Sequence, residues 1–61
     1  MNEHKNYAFC KGDLVKYKNG LYGEKFGSGI ILQVYQNLVI KVYFLKPKRI
    51  ITDLSQYFIK F

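Results

Sequence analysis

The chain is poor in the residues that carry most protein chemistry, with one cysteine, one histidine, no tryptophan and four carboxylates among 61 residues. A lone Cys10 excludes an internal disulfide, and one cysteine with one histidine cannot furnish a four-coordinate zinc site. Glu3, Asp13, Glu24 and Asp53 are scattered, with no closely spaced pair to suggest acid–base work. His4 and Cys10 are the one nucleophile–base combination on offer. Their place in the first ten residues favours a solvated His4 and a Cys10 that packs as a small apolar side chain. The glycines are not followed by the Lys-Ser/Thr of a phosphate loop. The expectation is a protein that is no enzyme and needs no cofactor or metal.

Long apolar runs are missing as well. No stretch approaches the ~18 residues of a membrane span, and Met1 to Cys10 lacks the continuous apolar run of a signal peptide. Repeats, linkers and low-complexity tracts are absent, and no stretch shows helical periodicity beyond about one turn. One domain is expected, and a domain this small buries only about 60% of the surface its unfolded chain exposes.

What the chain does have is hydrophobic content of 49%, six Tyr and five Phe, enough aromatic area for a small core. It also has ten Lys+Arg against four Asp+Glu, a formal net charge of +6. A positive field on so small a body suits polyanions: nucleic acid, an acidic protein face or an anionic membrane.

Alternation supplies the architecture. Leu14–Lys18 places Val15 and Tyr17 on one face and Lys16 and Lys18 on the other. Asn19 to Gly29 holds four of the five glycines and reads as a long loop. Ile30–Gln36 follows as a strand, with Ile30, Leu32 and Val34 inward and Gln33 and Tyr35 outward. Gln36-Asn37 is a tight reversal. Leu38–Leu45 is the clearest strand, with Leu38, Ile40, Val42 and Phe44 on one face. Lys46-Pro47-Lys48 closes the next hairpin, proline presetting the turn's first central position. Arg49–Thr52 is a fourth strand, Asp53–Gln56 one helical turn, and Tyr57–Phe61 a closing strand. Residues 1–10 read as an N-terminal arm or a short extra strand, and residues 11–61 as an all-β, five-stranded, partly open barrel.

This layout resembles the SH3-like superfold, including KOW and Tudor-like modules. The resemblance rests on Gly12-Asp13-Leu14-Val15, on Gly29-Ile30-Ile31 and on Leu38 to Phe44, and spans residues 11 to 61. Gly-Asp-x-Val, a glycine-rich loop and Gly-x-Ile are also similar to the RNA-polymerase-interacting modules of CarD-type transcription factors, although the glycine spacing is wider than in KOW domains. The Lys-, Ile-, Tyr- and Phe-rich usage resembles small proteins of AT-rich phages. The resemblance implies a binding module for nucleic acid or the transcription machinery; the lone cysteine and the missing signal-peptide run lead to the expectation of a place in the cytoplasm or within a virion assembled there.

The candidate contact residues are Lys16, Lys18, Tyr35, Lys41 and Tyr43 on the outer face, Tyr22, Lys25 and Phe26 on the glycine loop, and the basic hairpin Lys46, Lys48 and Arg49. Lysines neutralise phosphates while rings offer stacking platforms. Alternatively Tyr22 or Phe26 folds back to cap the barrel, and Tyr35 and Tyr43 are ordinary cross-strand neighbours. A second function class stays open: a structural or assembly protein, homo-oligomeric or part of a larger assembly, whose outer apolar positions Ile31, Val39 and Leu45 are covered by neighbours.

Overall fold

A computed structural model describes residues 9–36 and 38–61. The fold is mostly β: five antiparallel strands in a single sheet, in the order β4-β3-β2-β1-β5. The strands are β1 (Leu14–Tyr17), β2 (Gly29–Tyr35), β3 (Val39–Phe44), β4 (Arg49–Leu54) and β5 (Phe58–Lys60). One helix, α1 (Gly20–Phe26), separates β1 from β2, and a 3-10 turn (Ser55–Tyr57) precedes β5. The expected five-stranded layout is present, and the sheet is not closed.

One face of this sheet folds onto itself. Val15, Tyr17, Ile31, Ile40, Val42, Phe44 and Phe58 form a single buried cluster, with Phe26, Val34 and Ile51 packed against it. The curl is visible in two contacts. Phe44 on β3 and Phe58 on β5 stand three strand spacings apart, about 14 Å in a flat sheet, yet their ring centroids are 6.3 Å apart. Tyr17 on β1 likewise donates its hydroxyl to Asp53 Oδ2 on β4 at 3.0 Å. The 3-10 turn is tied down at both ends. The Ser55 amide donates to the Leu38 carbonyl, and the Tyr57 carbonyl accepts from the Lys18 amide, each at 2.8 Å.

The segment 19–29 departs from the expected loop. Asn19 is the N-cap of α1: its side-chain oxygen accepts from the amides of Leu21 at 2.9 Å and Tyr22 at 3.1 Å, satisfying donors that a helix start leaves unpaired. Gly27 ends the helix at φ +70 while its amide reaches the Gly23 carbonyl at 2.8 Å, a conformation favouring glycine. Two other glycines are there for space. A Cβ at Gly23 would sit 3.0 Å from the Tyr17 carbonyl oxygen, and one at Gly29 would overlap Val42 Cγ1 and stand 2.9 Å from Phe44 Cδ1. Glycine density here marks close packing of a short helix on β1, which hydrophobic periodicity over seven residues cannot reveal.

β2 corrects the inward set. Its register against β3 shifts between Ile31 and Gln33, where two steps on β2 oppose one on β3, so Leu32 is the extra residue of a β-bulge. Gly29 and Ile31 therefore face inward before the bulge and Val34 after it, while Ile30 faces outward. Ile31, expected outside, is only 1% exposed. Leu38, expected inside, lies in the turn before β3 and is exposed.

Smaller boundaries move too. Asp53 and Leu54 belong to β4, because they pair with Ile40 and Val39, so the single turn begins at Ser55. In the β2–β3 reversal the left-handed angle falls on Gln36, φ +54; Asn37 lies outside the described residues. The β3–β4 turn holds Leu45–Lys48, with φ +55 at Lys48.

Candidate partner-binding surface

The predicted contact residues fall into two main groups and a cleft. The first group is a cationic end where the β3–β4 hairpin docks on the C-terminal half of α1. Lys46 Nζ donates to the Glu24 carbonyl at 2.9 Å, and the Leu45 amide donates to the Ser28 carbonyl at 3.4 Å. The Lys46 stem lies over Gly27, close enough that a Cβ there would be in ordinary contact with Lys46 Cβ at 3.7 Å. This docking brings Lys25 on α1 to the same end of the molecule as Lys46, Lys48 and Arg49, some twenty residues later in the chain.

The second group lies on the outward face of the sheet. Lys41 pairs with Gln33 and Thr52, Tyr43 with Ile30 and Ile50, and Tyr35 with Val39. Lys16 pairs with Ile59 of β5, and its Nζ stands 5.7 Å from the centroid of the Phe61 ring. Lys18 follows β1 and borders a shallow open cleft with Gly20, Gly23 and Glu24.

The two loop aromatics separate in role. Phe26 folds back onto the core, its centroid 5.3 Å from Phe44 and 5.6 Å from Tyr17, with Lys25 Nζ 5.9 Å above its ring. It is a packing residue more than an open contact ring. Tyr22 is exposed and meets Tyr17 edge-on at 5.5 Å.

The buried end of Tyr17 also governs its titration. Burial raises its phenol well above the usual tyrosine range, and the hydrogen bond to Asp53, the charge of Asp53 and Tyr22 push the same way. The neutral phenol is thus a structural tie across the curl.

Cys10 does not pack as an apolar side chain. It is exposed, and its amide donates to Asp13 Oδ2 at 2.8 Å while its carbonyl accepts from the Asp13 amide at 3.0 Å. It sits in a small turn closed by Asp13, whose short side chain competes for nearby amides. Glu3 and His4 lie outside the described residues. Among the described residues no three His, Cys, Asp or Glu cluster as metal ligands, and no helix is long and apolar enough to cross a membrane.

Sequence reasoning missed an apolar row on the outward face. Phe61, just past β5, lies side by side with Leu14 of β1, Ile30 of β2, Tyr43 of β3 and Ile50 of β4. The Phe61 amide donates to the Leu14 carbonyl at 3.0 Å, and Leu14 pairs with Ile30, Ile30 with Tyr43 and Tyr43 with Ile50. Strict alternation already places Leu14 and Ile50 opposite the inward residues; the bulge hid Ile30. No family model matches this chain, and no curated protein or solved structure matches it either.

Proposed function

We propose that this chain is a small non-catalytic binding module that grips a nucleic-acid backbone through its cationic end, and that it belongs among the SH3-like barrels. The strand order and the single turn before β5 support that fold assignment. The observation that carries the function is the Lys46–Glu24 hydrogen bond, which holds the cationic hairpin of Lys46, Lys48 and Arg49 against α1, where Lys25 stands next to Glu24. Cations held together this way neutralise adjacent phosphates and release their counterions. With a formal net charge of +6, long-range attraction brings a polyanion to the same end. A role beside the transcription machinery is compatible with such backbone contacts, since they position without reading bases.

The test is the combined change Lys46→Gln, Lys48→Gln and Arg49→Gln, with binding to single-stranded and duplex DNA measured over a salt series. Each phosphate contact removed flattens the log–log salt slope by about 0.7 for single strands and about 0.9 for duplex. Affinity falls to a similar extent across unrelated sequences. Native protein that fails to bind either form at low salt, or a triple variant with an unchanged slope, overturns the reading.

A further inference from the structure

We infer that the outward face of the sheet is a docking surface for an acidic protein segment carrying apolar anchors. The row Phe61–Leu14–Ile30–Tyr43–Ile50 runs from the residue after β5 across β1, β2 and β3 to β4, four inter-strand steps of about 4.8 Å each or about 19 Å in all. Three of its members are far from spent on the fold, with Phe61 64%, Ile50 57% and Leu14 47% exposed, while Ile30 and Tyr43 between them are half-buried. A contiguous apolar row on so small a body marks a contact surface, whereas scattered exposed leucines need no explanation.

Charge selects the occupant. Lys16 stands two residues from Leu14, and Lys41 two from Tyr43, both on this outward face. The described carboxylates are committed elsewhere: Asp13 sits 3.5 Å from Lys60, Glu24 is on α1, and Asp53 accepts from Tyr17 on the inward side. The face therefore offers an apolar strip flanked by cations and calls for apolar side chains flanked by carboxylates. A second copy of the chain fits badly, because it would oppose like charges and press two bodies of net charge +6 together. Nucleic acid fits badly too. Leu14, Ile30 and Ile50 present aliphatic carbons where a base needs an aromatic plane, and the two rings of the row, Phe61 and Tyr43, stand three strand spacings or about 14 Å apart, too far to stack successive bases. Arg49 of the cationic end adjoins Ile50 on β4 but pairs with the inward Phe44, so it belongs to the other side of the sheet, and the inference stands whether or not that end binds nucleic acid.

The experiment selects a display library of random 16-residue peptides against the full chain at low salt, then synthesises the enriched peptides. The expected result is enrichment of Asp and Glu interleaved with Leu, Ile, Phe or Tyr. Combined Leu14→Gln and Ile50→Gln lowers the affinity of a synthesised peptide by at least about tenfold with an unchanged circular dichroism spectrum. Lys16→Gln with Lys41→Gln weakens it less and chiefly at low salt, and the Lys46, Lys48, Arg49 triple change leaves it intact. Three results overturn the inference. One is enrichment without acidic and apolar residues together, or peptides indifferent to Leu14 and Ile50. Another is a concentration-dependent dimer in sedimentation that Leu14→Gln and Ile50→Gln dissolves, which assigns the face to a second copy. The last is binding to phosphatidylglycerol vesicles, lost with the same two changes, which assigns it to an anionic lipid surface.

Discussion

The two faces of this sheet are both apolar, and they meet opposite fates. On the inward face Tyr17, Phe44 and Phe58 press ring to ring, with Tyr17 and Phe58 centroids 4.3 Å apart, and Val15, Ile40 and Val42 are sealed from solvent. On the outward face Leu14, Ile50 and Phe61 stay open. Side-chain chemistry does not separate them; curvature does. Curling brings residues of β1, β3 and β5 together on the concave side and spreads the convex side apart, so only one face finds partners within the described chain. The lesson is that burial is a property of the sheet's shape, and an apolar outer row is left over for something else to cover.

The comparison breaks or sharpens under substitution. The largest effect is expected from Phe44→Ala, which removes a ring contacting Tyr17, Phe26 and Phe58. Truncating such a buried ring costs about 3–5 kcal/mol, enough to unfold much of a domain this small, read as a collapsed urea midpoint in far-UV circular dichroism. A loss under about 1 kcal/mol would mean that the concave face is not the core.

Next comes the tie across the curl. Tyr17→Phe removes the hydroxyl that meets Asp53, a hydrogen bond to a charged group worth roughly 1.5–3 kcal/mol, though Asp53 still accepts from the Leu54 amide at 2.8 Å. Because the folded phenol's pKa is raised, its stabilisation is fully present below the unfolded value of about 10. It is lost as pH rises from there towards the folded value. Urea midpoints at pH 8 and pH 11 should therefore fall further in the native chain than in Tyr17→Phe. Equal falls would detach Tyr17 from the alkaline transition.

The smallest effect is expected on the outward face, where Ile50→Gln should alter stability by no more than about 0.5 kcal/mol. A cost comparable to Phe44→Ala would show that the outer row is part of the fold and not a surface in waiting. Thermal melts of the two variants side by side make that contrast directly.

Much of the fold was legible in the chain because alternation is a local signal. Val15 and Tyr17 in β1, and Ile40, Val42 and Phe44 in β3, alternate without interruption, and each is buried where the pattern places it. The two tight turns and the 3-10 turn carry Gln36, Lys46-Pro47-Lys48 and Ser55-Gln56, residues that suit chain reversal. The basic hairpin was legible as a run of charge. What the chain's own pattern left undecided is long-range. The bulge at Leu32 inverts the parity of β2, and a bulge is a compromise between two strands that neither carries alone. Helix α1 is seven residues with two glycines, each about 1 kcal/mol poorer than alanine in a helix interior, so it depends on Asn19, on Gly27 and on packing against Tyr17. The pairing of Lys46 with Glu24 spans 22 residues, and the outward row is assembled from four strands and the residue that follows β5. Alternation within β1 and β3 determined which of their residues share a face; only the register between strands, with its bulge in β2, and the curl of the whole sheet decided which face was buried and which was left to bind.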